Sequence, residues 1–321
     1  MHEGNWGYAA GMRRREFLGS LVAAVACAAA GDAFAEERAR QIAFTFDDPK
    51  TDSGPGLTWQ QVNDNLLAAL DKANVKAALF VTGMRVDSED GRKLVAKWND
   101  AGHLIGSHSY SHLFFDSKKV TLAGFEADLL KNEPLVERYS QFQKLFRFPF
   151  FKEGNTKEKR DGMRAFLKEH GYRIGRATVD ASDWAIDGRM RKRYEKDAKA
   201  DLRPYRDFYL QHIWDRAQYY DSLAQRVLGR SPAHTVLLHH SPMNAMFLPD
   251  LIAQFKGKGW EPVDAAKAFA DPVYDRQPDI LPCGESLIWA LAKETGKFDA
   301  ELRYPGEDDV YENPKMDALG L

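Results

Sequence analysis

The chain has 321 residues, with 45 Lys and Arg against 47 Asp and Glu, so its net charge at neutral pH is −2. That balance excludes a nucleic-acid or polyanion binder working through bulk charge. With 44% hydrophobic residues the chain can bury a core, and its two cysteines, Cys27 and Cys283, exclude a disulfide framework.

The first segment reads as an address. Residues 12–35 run from three arginines through a small-residue apolar stretch to Ala33-Phe34-Ala35, the basic, apolar, A-x-A order of a secretory signal. Arg14-Arg15-Glu16-Phe17-Leu18 resembles the motif read by the twin-arginine export machinery. The apolar run Leu18–Ala30 has 13 residues, short of the roughly 20 that span a bilayer, so no transmembrane anchor is expected. Residues 36–321 are expected to reach the periplasm or the cell exterior as one domain.

From residue 41 onward strand and helix alternate. Gln41–Phe46 is a β-rich run ending at two aspartates; Trp59–Ala73 carries Val62, Leu66 and Leu70 at helical spacing. Ala77–Thr82, Leu104–Ser107, Leu145–Phe148, Tyr172–Val179, Thr235–Leu238 and Gly259–Val263 read as further strands. Glu89–Ala101, Thr121–Tyr139, Lys157–His170, Leu248–Gly257 and Asp264–Phe269 read as helices. Alternation of this length predicts an α/β fold of parallel βαβ units with right-handed crossovers. Seven units fit one incomplete barrel better than two domains. Gly188–Arg230, with eleven basic and six acidic residues, falls outside the alternation and reads as a helical insertion. Its Trp214, Tyr219 and Tyr220 are expected to pack in the core rather than to face a sugar. The segment after Ala300 is polar, acidic and turn-rich.

Polar residues gather at strand ends. Asp47 and Asp48 close the first strand, His108 the third, Arg147 the fourth, Asp180 the fifth and His239 the sixth. In a parallel barrel these ends share one rim, where catalytic groups sit. His108 and His112 would lie on one face of a helix, close enough to share a metal. Two His and a carboxylate leave an open position for water, as in catalytic zinc sites. Strand neighbours point to opposite faces, so Asp47 and Asp48 are expected to do different work. Arg147 offers a permanent cation to keep a carboxylate charged, and His239 can exchange a proton near neutral pH.

In chain order, Thr45-Phe46-Asp47-Asp48, His108-Ser-Tyr-Ser-His112, Arg147-Phe-Pro-Phe150, Asp180-Ala-Ser-Asp-Trp184 and Leu237-Leu-His239 resemble the five motifs of the polysaccharide deacetylase family, the NodB-like carbohydrate esterases of family 4. The resemblance implies a distorted (β/α)7 barrel and metal-dependent removal of acetyl groups, N-linked before O-linked, from an acetylated glycan. It implies that Asp48, His108 and His112 hold a divalent metal, Zn²⁺ first, with Co²⁺, Fe²⁺ and Ni²⁺ compatible. It implies Asp47 as general base, His239 as general acid, Arg147 orienting Asp47, and Asp180 tuning His239. Trp184 and Leu237 would shape the acetyl pocket, and a backbone N–H near Phe150 would face the developing oxyanion. Two departures stand out: Pro49 directly follows Asp48 where the family commonly has Gly-Pro, and His240 replaces a more usual acidic or amide residue. Two other readings stay open, a metal-dependent hydrolase of small amides and a catalytically silent carbohydrate-binding protein.

Overall fold

The computed structural model describes Met1 and residues 39–321 apart from Pro55; the expected export segment and Cys27 lie outside the described residues. Strand β1 (Gln41–Asp47) is the axis. Ile42 to Phe46 are buried, since a parallel sheet with helices packed around it leaves its strands little solvent; that is why the strand reads as a run rather than an alternation. β2 (Ala78–Val81), β3 (Leu104–Ser107) and β4 (Phe142–Phe146) follow; β5 (Lys152–Gly154) stands apart, and β6 (Arg173–Ile174), β7 (Ala233–His239) and β8 (Glu261–Pro262) complete the main sheet. Its order is β6-β4-β3-β2-β1-β7, with β8 on the start of β1, and every pairing is parallel. The sheet curls until residues 175–179 bridge its ends. Ile174 pairs with β4, whereas the Val179 N–H donates to the Thr235 carbonyl and accepts, through its own carbonyl, from Leu237. The result is a distorted (β/α)7 barrel.

Helix α1 (Trp59–Ala73) starts at a Thr58–Gln61 capping box and stops at Asn74 in the left-handed conformation. After a single turn, α2 (Gly83–Val86), come α3 (Glu89–Asp100), α4 (Leu122–Val136) and α5 (Lys157–Glu169), each begun by a Ser or Thr whose hydroxyl accepts from the backbone N–H of the third helical residue. The expected insertion is two helices, α6 (Asp183–Lys196) and α7 (Arg203–Leu228). Tyr205, Tyr209, Ile213, Ala217, Tyr220 and Ala224 form the buried stripe of α7. Trp214 and Tyr220 are therefore core residues and Tyr219 is half-buried. The series continues with α8 (Pro242–Gly257) and α9 (Ala265–Phe269).

The C-terminal region adds a short strand and two helices. Strand β9 (Cys283–Gly284) pairs antiparallel with β5, and α10 (Leu287–Thr295) buries Leu287 to Ala292 in the main core. Last comes α11 (Asp309–Ala318). Glu307 is held by Arg216, Arg303 and the Tyr220 hydroxyl, and Glu312 by His212 and Lys315. This knot ties α11 to the long insertion helix. Cys283 is buried against Glu153 and unpaired, in keeping with an inert small side chain.

Candidate active site

The ends of β1, β3, β4 and β7, with the loops that follow them, surround one cavity of about 870 Å³. Asp47 is the last residue of β1 and is almost fully buried. Arg147, just past β4 and wholly buried, donates from Nη1 to Asp47 Oδ1 at 2.7 Å and to Thr45 Oγ1 at 2.9 Å; its Nε donates to the Gly175 carbonyl at 2.7 Å. The guanidinium lies over the Phe80 ring at 3.9 Å, so it can neither swing away nor find water. Arg147 sits behind Asp47 rather than in the cavity wall.

Asp48 lies outside the strand, with φ of +58°. The alternation rule predicted that Asp47 and Asp48 would face opposite sides; this left-handed turn brings both carboxylates into the same cavity. Asp48 Oδ1 accepts from Thr82 Oγ1 at 2.6 Å and meets Arg85 Nε at 3.2 Å, while Oδ2 lies 3.5 Å from His112 Nε2. Burial opposes its charge, but His108, His112 and Arg85 together hold the carboxyl far below its ordinary value.

His108 and His112 are not on a helix. They flank a loop in which Ser109 (φ +62°) and His112 (φ +53°) are left-handed, and Tyr110 and Ser111 N–H groups donate to Asp128. The rings still meet, 5.0 Å apart. His108 Nδ1 faces the Arg147 carbonyl at 2.8 Å, so Nδ1 carries the hydrogen and Nε2 is left as a free donor atom toward the cavity. Burial, then the neighbouring His108, pushes His112 down to about 4, into its neutral, ligating form. One carboxylate oxygen and two imidazole nitrogens from Asp48, His108 and His112 lie within 4.8 Å of one another, with Thr82 and Arg85 holding the other Asp48 oxygen. That donor set fits a first-row divalent cation.

His239 closes β7. Its Nδ1 lies 2.7 Å from Asp183 Oδ1, and its backbone N–H donates to Asp183 Oδ2 at 2.8 Å. Asn244 Nδ2 donates to the same Oδ2 at 2.7 Å. Burial opposes the charge on His239, but Asp183, then Asp47 and Asp48, raise it to about 9. The residue that tunes His239 is thus Asp183, not Asp180 as the motif suggested. Both acids sit in one five-residue motif; only the left-handed Ser182 (φ +48°), which starts α6 in a new direction, decides which one reaches the imidazole. Asp180 lies in the cavity wall, where burial, then Glu307 and Glu285, push its carboxyl up to about 8.

Leu237, Phe150 and Trp184 all line the cavity. Leu237 packs with Phe151 and Ala177. Phe150 and Phe151 are successive left-handed residues (φ +56° and +54°), which leaves the Phe150 ring 53% exposed and 4.5 Å from His112. His240 is buried with Nε2 toward Asn63 at 3.3 Å. Sequence reasoning missed the far wall, which comes from Lys152 on β5 and from Glu285, Tyr304 and Glu307 of the C-terminal region.

The family model described as polysaccharide deacetylase matches residues 35–175. Over 230 residues the chain is 27% identical to a peptidoglycan-N-acetylglucosamine deacetylase of Bacillus cereus, an alignment covering 69% of this chain and 68% of that protein. Over 134 residues it is 30% identical to the peptidoglycan-N-acetylmuramic acid deacetylase PdaA of Bacillus subtilis, covering 41% of this chain and 47% of that protein. Among solved structures, a polysaccharide deacetylase from Bacillus cereus superposes with a TM-score of 0.50 at 23% identity, over 69% of this chain and 90% of that one. A pseudoenzyme of carbohydrate esterase family 4 from Bacillus anthracis gives 0.51 at 18%, over 73% and 66%. At these identities the structural likeness is one of fold.

Proposed function

Because the chain belongs to the polysaccharide deacetylase family, we propose that it is an exported, metal-dependent hydrolase that removes N-acetyl groups from a glycan. The observation that carries this reading is the convergence on one cavity of three differently built groups. They are the Asp47–Arg147 pair, the Asp48–His108–His112 donor set and the Asp183–His239 pair.

Asp47, fixed by Arg147, is placed to take a proton from a water attacking the acetyl carbonyl. A divalent cation held by Asp48, His108 and His112 would supply Lewis acidity and lower the pKa of a water. Amide cleavage requires the leaving nitrogen to be protonated, and His239, kept as imidazolium by Asp183, holds that proton on Nε2. Leu237 and Trp184, which line the cavity, would shape the acetyl pocket, and a backbone N–H near Phe150 would serve as donor for the developing oxyanion. Arg147 and Asp183 act as positioning residues. The export reading rests on the order of residues 12–35.

The test is acetate release from acetylated glycans, peptidoglycan and chitooligosaccharides first. The measurement is made on protein as purified, after chelation and after adding back Zn²⁺, Co²⁺ or Ni²⁺. Release that chelation abolishes and a divalent ion restores is the expected result. Release untouched by exhaustive chelation would remove the metal from the mechanism.

A further inference from the structure

Among the described residues, four aromatic rings are exposed: Phe114, Phe150, Trp184 and Tyr304, at 44%, 53%, 46% and 54%. All four line the one cavity. An exposed aromatic face is costly in water, and scattered single ones need no explanation; confinement of every one to a single rim marks a binding surface for a flat, partly apolar partner. Phe150 and Trp184 sit beside the reacting groups. Tyr304 does not: it belongs to the C-terminal region, 129 residues past the end of the family-model match at residue 175.

The chain holds Tyr304 firmly at that rim. Strand β9 pairs with β5, the Gly306 N–H donates to Glu285 Oε2 at 3.0 Å, and Trp289 Nε1 donates to the Arg303 carbonyl at 2.7 Å. The Tyr304 ring leans on Trp289, 5.9 Å away, with Lys152 Nζ 5.3 Å from its centroid. Around it the wall is polar, and its acids are engaged within the chain, Asp308 as the N-cap of α11 accepting from the Val310 N–H at 3.1 Å. Glu285 is paired with Lys152, and Glu307 with Arg216 and Arg303. A rigid ring among acids already engaged within the chain suits the hydroxyls and apolar face of a neutral pyranose better than an anion. The cavity is also large. At about 870 Å³ it lies near the top of the range that holds a drug-sized ligand, and one acetamido sugar would leave much of it unfilled.

We propose that the C-terminal region completes a second sugar subsite, in which Tyr304 stacks against the neutral pyranose ring next to the one being deacetylated. This rests on the deacetylase reading above. The test measures kcat/KM of the full-length, metal-loaded protein on β-1,4-linked N-acetylglucosamine oligomers of one to five units. Tyr304→Ala should lose roughly tenfold on the pentamer and less than twofold on the monomer, and Tyr304→Trp should restore most of the loss. Equal losses at every length, or no loss on the pentamer, would overturn the subsite. A wild-type protein that releases no acetate at any length sinks the hydrolase reading instead. The subsite is then judged from pentamer binding followed by calorimetry. Weaker binding by Tyr304→Ala supports it; unchanged binding, or none by the wild type, overturns it.

Discussion

Asp47 and Asp48 are chain neighbours with different surroundings, and the same substitution should separate them. Asp47→Asn leaves Asp48, His108 and His112 in place, so metal content should hold while acetate release falls by about two orders of magnitude or more. Asp48→Asn should lose metal, since a neutral amide is a poorer ligand; elemental analysis beside acetate release on one substrate reads both. If Asp47→Asn loses the metal and Asp48→Asn keeps it, the roles are exchanged. The second residue-scale prediction concerns Asp183. A proton donor works below its pKa and fails above it, and Asp183 raises that of His239 to about 9. Asp183→Asn removes the charge that favours imidazolium, so the basic limb of the kcat/KM–pH profile should move to lower pH. A limb that stays put would assign it to another group.

At the scale of elements, the C-terminal region is fastened to the barrel through a buried cluster. Arg176 Nε and Nη2 donate to the two Glu153 oxygens at 2.5 and 2.6 Å, and Arg164 lies 3.4 Å from Glu153 Oε2. Burial opposes the Glu153 charge, but the two arginines hold its carboxyl below the usual glutamate value. Stability from a depressed carboxyl is present above the unfolded pKa and lost as pH falls through the folded one. Glu153→Gln should therefore cost about 3–5 kcal/mol at neutral pH, with the gap to wild type closing in acid, as followed by denaturant unfolding. This cluster also shows what sequence can carry. The barrel strands are legible because burial makes them apolar runs, and α1 is legible to its last residue because Thr58 and Asn74 are strong signals. Tyr172–Val179 reads as one strand, yet its ladder is split between β4 and β7. A side chain at Gly175 would come within 2.5 Å of Phe80, and Arg176 turns to Glu153. The pairing of β5 with β9 joins two- and three-residue strands across 130 residues and leaves no periodic trace. At the site, residue types and order pointed to the cavity, but backbone turns decided which acid met His239 and how His112 reached His108.

For the molecule as a whole, the proposed export segment and the proposed hydrolase can be tested separately. Replacing Arg14 and Arg15 by Lys should hold the protein in the cytoplasm, scored by fractionation, while purified protein keeps its acetate release. Unchanged export would favour the general secretory route. Within the folded part, eight non-glycine residues have positive φ among those described, and seven of them, Asp48, Ser109, His112, Phe150, Phe151, Ser182 and Glu285, lie in the loops around the cavity. Each such conformation holds on the order of 1 kcal/mol of stored backbone energy, so the site sits above the ground state its own sequence could reach. The protein is tuned for placement at the expense of resistance to heat. Ser182 shows it in miniature, since it is left-handed and its buried hydroxyl has no partner. Ser182→Gly relieves both, and calorimetry should find Tm higher by about 2–4 °C. Heat tolerance would then rise through a residue whose only visible task is to aim Asp183 at an imidazole.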